Sequence, residues 1–420
     1  MNTHPLSINL DRLMDEIETL SHFSDAPPPA VTRILYSEAD LAARTFLRQL
    51  VDEAGLDWRT DAIGNTFIRW PGAEPDLPPV ATGSHIDAVP FAGKYDGVVG
   101  VLGALEAVRS LRAAGFRPRR GVEIVMLTAE EPTRFGLGCV GSRALAGVTG
   151  PEALVALRDA TGLAFDDVRR SAGFSGELAG VALNPGHYRA FVELHVEQGP
   201  ELERAAVPIG VVTGIAASTT AFVTFQGDGG HAGTVLMSLR RDPLPAACEL
   251  ALAVEAAART HPAGDAVATV GIVEVHPGAS NSIPSQVRFS IDVRNQDMQV
   301  RDQLLQHFQT MAEEIAARRQ LEQRFQVVNS DHALRCDPQI IEAVTGAVVA
   351  AGLRYKLLVS RAYHDTVFMG QICPVGMIFI PSRGGYSHRP EEYSSPEEIG
   401  NGVTVLALTL AELAGRAASP

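Results

Sequence analysis

Cysteine is scarce in this chain of 420 residues. The four present, Cys139, Cys248, Cys336 and Cys373, lie far apart and form no CxxC pair. Neither a disulfide framework nor a cysteine-built zinc site is expected. Positive charge is also in short supply: 35 Lys and Arg stand against 49 Asp and Glu, a formal net charge of -14. That balance argues against a nucleic-acid or anionic-membrane surface, although a pocket can still be locally basic. No apolar run approaches the ~20 residues needed to cross a bilayer. Met1 to Leu20 carries polar and acidic residues and no apolar centre of signal-segment type. A cytoplasmic protein is the expectation. Internal repeats and long low-complexity segments are missing too.

What remains is an ordinary globular composition, 46% hydrophobic and 20% charged. Single cores stop growing near ~250–300 residues, so two domains are expected. Ser37 to Ala54 has helical apolar spacing with Gly55 as a stop. Val80 to Gly83, Val122 to Thr128 and Phe191 to Val196 read as buried strands, with an apolar helix from Gly97 to Ala114 among them. This alternation predicts an α/β fold, a mostly parallel sheet flanked by helices. From about Gly214 the pattern changes. Strands over Ser218–Gln226, Ala266–Val275 and Val287–Val293 accompany helices over Leu244–Ala258 and Met298–Arg319. They predict an inserted α+β lid domain over 214–326. The catalytic domain then comprises 1–213 and 327–420, resuming with Gln339–Ala351, Val375–Ile380 and Pro396–Ala414.

Chemistry-bearing residues cluster at the ends of these elements. His85 and Asp87 follow the first strand: a metal ligand with an orienting carboxylate, or a turn with a capping aspartate. Asp96 precedes the apolar helix, as an N-cap or as a carboxylate bridging two cations. Glu130 and Glu131 end a buried strand, where two acids are costly unless compensated. One could ligate metal while the other serves as general base. His195 interrupts an apolar strand, and His388 sits in a glycine-rich loop. Each signal alone has a plain structural alternative. Together, three histidines and three carboxylates suit two divalent cations.

Other polar positions occur elsewhere. His231 lies in the loop Gly227–Gly233, as a potential carbonyl-polarising donor. Asn281 and Arg294 flank a predicted strand, and Arg294 could clamp a carboxylate or form a surface ion pair. Tyr363 and His364 end another strand. His4, His22, His187, His261, His276, His307 and His332 lack such company and read as structural or solvated.

The motifs GSHID, GKYDGVVG, EEPTRFG, ELHVEQG, GGHAG, NSIP, DVR and YSHRPEEY identify a family. The chain resembles the carbamoylase and allantoate amidohydrolase group of dinuclear metallo-amidohydrolases, which are similar to metal-dependent aminopeptidases and carboxypeptidases. The resemblance runs from about Leu10 to the C-terminus. EEPTRFGLGCVGSRALAG, GGHAGTVLM, SRAYHDTVFM and GMIFIPSRGGYSHRPEEYSSPEE look like the branch that cleaves a small ureido acid, (S)-ureidoglycolate. Tyr363 stands where the wider group usually carries glycine.

The resemblance implies that His85, Asp96, Glu131, His195 and His388 ligate two divalent cations, manganese or alternatively zinc, with Asp96 bridging. It makes Glu130 the general base and His231 an oxyanion donor. It gives Gln198, Asn281 and Arg294 to the substrate's ureido and carboxylate groups, and Tyr363 and His364 to the pocket around the hydroxyl-bearing carbon. It implies a homodimer or higher homo-oligomer, with the lid histidine and asparagine supplied by the partner subunit. The remaining alternatives are an allantoate or N-carbamoyl-L-amino-acid amidohydrolase, a catalytically dead relative used for binding, and a dipeptidase.

Overall fold

Val122–Leu127 is buried at every position, as a strand covered on both faces must be. It lies near the centre of a large sheet in the computed structural model, which describes residues 6–417. His4 is outside those residues. The sheet runs Ile209–Ile215, Val375–Ile380, Ala190–Val196, Val80–His85, Val122–Leu127, Thr66–Trp70 and Asp57–Thr60 in spatial order. The four strands from Val375–Ile380 to Val122–Leu127 are mutually parallel. Their outer neighbours pair antiparallel. The mostly parallel α/β sheet is therefore present, with antiparallel borders.

Alternation along the strand Ala190–Val196 explains its histidine. Val192, Leu194 and Val196 join the main apolar core with the helices Val98–Ala113, Pro338–Ala350 and Pro396–Ala414. Side chains two apart share a face, so Glu193 and His195 point the other way. There Glu193 accepts a hydrogen bond from Thr366 Oγ1 at 2.5 Å. The long helix Pro396–Ala414 starts with a capping box: Ser395 receives the Glu398 N–H and Glu398 receives the Ser395 N–H. No helix among the described residues is long and apolar enough to cross a membrane.

The chain divides into two compact units. The first ends at Thr213, resumes over Arg335–Ser360 and continues from His364; it contains the large sheet. The second comprises Gly214–Leu334 and Arg361–Tyr363. It contains a five-stranded antiparallel sheet with Gln286–Asn295 and Ala217–Gln226 at the centre. The helices Pro243–Thr260 and Met298–Arg319 share one apolar core with that sheet. The return to the first unit falls at 334/335 rather than the expected 326/327. The cause is the strand Glu322–Ser330, which pairs along Ala217–Gln226 and keeps 327–330 in the second unit. The single strand expected over Ala266–Val275 is two, Val267–Thr269 and Val273–His276.

Candidate metal centre

Parallel strands deliver side chains to one end of a sheet, where a cleft opens. His85 is the last residue of Val80–His85 and lies level with Leu127 on the neighbouring strand. Past Leu127 the chain turns through Ala129, at φ 55°, to present Glu130 and Glu131. His195 comes from the adjacent strand Ala190–Val196. His388, at φ 56°, follows the fourth parallel strand. Asp96 arrives just ahead of the helix Val98–Ala113. The cap position there is Gly97, and no side chain caps the helix. Asp96 thus turns its carboxylate to the histidines instead.

The geometry around Asp96 is two-sided. Its Oδ1 lies 3.4 Å from His85 Nε2 and 3.2 Å from His195 Nε2. Its Oδ2 lies 3.4 Å from His388 Nε2, which is itself 3.2 Å from Glu131 Oε1. Two ligand sets result, His85–Asp96–His195 and Asp96–Glu131–His388, each with its donor atoms within 4.8 Å of one another. Asp96 offers one oxygen to each set, as a carboxylate shared by two cations does. All these side chains are buried except His388, whose side chain is 49% exposed.

Hydrogen bonds fix the tautomers that ligation requires. His85 Nδ1 lies 3.0 Å from the Asp87 carbonyl oxygen, and His195 Nδ1 lies 2.8 Å from that of Val196. A carbonyl only accepts, so both rings carry hydrogen on Nδ1 and turn Nε2 toward Asp96, where His195 Nε2 also accepts the Gly97 N–H at 3.2 Å. Asp87 faces His85 Nδ1 with its backbone carbonyl and, at 3.6 Å, with its carboxylate Oδ1, and the carboxylate has a second task. Asp87 Oδ1 and Oδ2 accept the N–H groups of Glu130 and Glu131 at 3.2 and 3.0 Å.

The electrostatics show a site short of positive charge. Burial pushes Glu130 well above the usual carboxylate range, against the pull of His85 and with the help of Glu131, Asp365 and Asp96. Burial raises Glu131 as well. Burial also opposes charge on Asp96, but His195, His388 and His85 hold it well below the ordinary value. Hydrogen bonds to Asp96 and Glu131 push His388 up to about 11. A crowd of buried acids that draws protons onto its histidines is the environment a pair of dications would neutralise. The donor set, nitrogen and oxygen without thiolate, fits divalent transition metals.

The other expected residues fall in different places. Gln198 reaches the centre but donates to Asp96 Oδ2 at 2.7 Å and to Ser387 Oγ at 3.3 Å. His364 is buried, its ring edge-on to His195 at 4.6 Å between centroids. The remaining four belong to the second unit. His231 and Asn281, fifty positions apart in sequence, are brought together by a short antiparallel pair, His231 opposite Ser282, and Ala232 N–H donates to the Asn281 carbonyl at 2.9 Å. His231 is exposed, and its Nδ1 accepts the Gly233 N–H. Arg294 donates from Nε to Asp292 Oδ1 at 2.7 Å and from Nη1 to the Arg361 carbonyl at 3.0 Å. Tyr363 is half-buried. Ser387 and Glu392, beside Asp96, carried no signal of their own in the sequence beyond membership of YSHRPEEY.

The model of peptidase family M20/M25/M40 matches residues 81–412. The chain is 50% identical to ureidoglycolate hydrolase of Arabidopsis thaliana over 417 residues, covering 97% of this chain and 87% of the relative. It is 38% identical over 405 residues to N-carbamoyl-L-amino acid amidohydrolase of Geobacillus stearothermophilus, covering 96% and 98%. The crystal structure of AtUAH in complex with glyoxylate is similar with a TM-score of 0.91 at 50% identity, covering 97% of this chain and 98% of that one.

Proposed function

The chain belongs to the M20/M25/M40 peptidase family, and from that premise we propose that it hydrolyses the ureido C–N bond of (S)-ureidoglycolate. The products are glyoxylate, ammonia and carbon dioxide, and the setting is purine (allantoin) breakdown. One observation carries the chemistry: Asp96 serves two ligand sets, with Glu130 beside them in neither. The 50% identity to a ureidoglycolate hydrolase, spread over 97% of the chain, supports the substrate.

The enzyme is a metal-dependent amidohydrolase with two divalent cations. His85, Asp96 and His195 hold one set, and Asp96, Glu131 and His388 the other. We propose manganese for both. When bound, such cations would polarise the ureido carbonyl and make the attacking water more acidic. Glu130 removes the proton from the attacking water and delivers it to the leaving nitrogen. Carbamate departs and decomposes to carbon dioxide and ammonia. The other product, hydroxyglycine, collapses to glyoxylate and a second ammonia.

His231 is proposed to stabilise the developing oxyanion. Gln198, Asn281 and Arg294 are proposed to bind the ureido and carboxylate groups, and Tyr363 and His364 to shape the pocket. A homodimer, whose partner supplies the lid histidine and asparagine, is part of the same proposal. The four cysteines are free, which suits a reducing compartment, and the proposed location is the cytoplasm.

The test is a substrate comparison on protein reconstituted with manganese, offering (S)-ureidoglycolate, allantoate and an N-carbamoyl-L-amino acid. The expected result is preference for ureidoglycolate with about two ammonia per glyoxylate. Preference for either other substrate would overturn the substrate and the reading of Tyr363, and leave the metal centre standing.

A further inference from the structure

We propose that Glu392 is a positioning residue that clamps Asp96 and the His388 loop together, and so sets the spacing of the second ligand set. The proposal rests on the metal-centre reading above. Glu392 is only 4% exposed. Its Oε1 accepts the backbone N–H groups of Tyr95 and Asp96 at 2.9 and 3.0 Å. Its Oε2 lies 3.0 Å from Ser387 Oγ, which lies 2.8 Å from Asp96 Oδ2. One carboxylate therefore holds the peptide that carries Asp96 and, through Ser387, touches the oxygen that Asp96 turns to His388. The two segments are almost 300 positions apart in sequence, and no single element contains both.

The clamp is itself anchored. Ser394 Oγ donates to the Pro381 carbonyl at 2.6 Å, and Arg383 N–H donates to the Tyr393 carbonyl at 2.9 Å. These bonds tie the segment to the end of the strand Val375–Ile380. Tyr393 packs edge-on to Tyr95 at 6.0 Å. On the opposite side Gly93 lies so close that a Cβ there would stand 2.4 Å from Glu392 Cβ. The neighbouring Glu391 shares none of this: it is exposed and pairs with Arg389.

The experiment measures manganese stoichiometry and affinity, with kcat and KM, for the full-length parent and for Glu392→Ala, Glu392→Gln, Ser387→Ala and Glu391→Ala. Loss of an outer partner of a metal ligand typically costs 10–100-fold in affinity. Glu392→Ala is expected to weaken one of the two ions by about that factor and to lower kcat more than it raises KM. Glu392→Gln keeps an acceptor for both N–H groups and should recover most of the loss. Glu391→Ala should match the parent. If Glu392→Ala does not fold, Ser387→Ala, which removes the hydroxyl shared by Glu392, Asp96 and Gln198 and leaves both backbone contacts of Glu392 in place, carries the test and should weaken the same ion about tenfold. Two ions bound with parental affinity in the folded variant would overturn the clamp. A parent that binds no ions would overturn the metal centre instead, a distinguishable result.

Discussion

The N–H of Glu131 donates to Asp87 Oδ2 at 3.0 Å, so the residue whose carbonyl faces His85 also anchors the turn carrying Glu130 and Glu131. Asp87 thereby sets two metal-facing elements against each other. Replacing it with alanine leaves the N–H groups of Glu130 and Glu131, the second of them buried, without this acceptor. Asp87→Ala should lose about 10–100-fold in metal affinity or turnover, with Asp87→Asn losing less. Metal analysis after dialysis, together with kcat, checks this; unchanged values in both would show that the anchor is dispensable.

Glu130 stands apart from the ligand sets. Its Oε2 is 3.8 Å from His85 Nε2 and its Oε1 is 3.8 Å from the Cys139 thiol. Glu130→Gln should keep both cations and lose about 10²–10⁴-fold in turnover, the range for a general acid–base group. Normal activity with normal metal content would mean that another group moves the proton.

Gly97 combines a positive φ of 65° with a tight approach: a Cβ there would lie 2.5 Å from His85 Nε2. Gly97→Ala should therefore push His85 away from Asp96 and His195, beyond the ~1–2 kcal/mol of left-handed strain. The expected protein is folded by circular dichroism and deficient in metal. Two tightly bound ions would contradict the packing argument.

Proton release gives an independent handle. His388 is held at about 11 by Asp96 and Glu131, above the ordinary 6.5. In the metal-free protein its protonation stabilises the fold fully below 6.5, and that contribution is lost as pH rises through about 11. A cation needs the neutral ring, so binding near neutrality must expel the proton. Affinity should rise about tenfold per pH unit for each proton released. Calorimetry in buffers of different ionisation heat would read it; binding without proton release between pH 6 and 8 would remove His388 from the ligands.

The sequence made the strand ends legible because burial and polarity conflict there. His195 broke an apolar run, and the acids at 130 and 131 closed one. The alternative for Asp96 as a helix cap was decided only by the backbone, which gives the cap position to Gly97. Adjacent glutamates 391 and 392 look alike in sequence, yet one is exposed and the other buried. Local pattern cannot separate them, since the partners of Glu392 are near residues 95 and 387. Asp87 was recognised as an orienting residue, but its hold on 130 and 131 crosses 43 positions and leaves no local trace. The gap in Ala266–Val275 was hidden likewise, because Ala266–Ile272 is uniformly apolar apart from Thr269 and Gly271.

His85 closes its strand level with Leu127, and His195 shares its strand face with Glu193. A single inserted or deleted residue inside either strand would turn its histidine to the other face. The segments that follow the strands are tied down as well, Glu130 and Glu131 by Asp87, and Asp96 by Glu392. Descendants of this sequence can therefore vary only away from these anchored stretches, while the length of each strand that ends in this centre stays frozen.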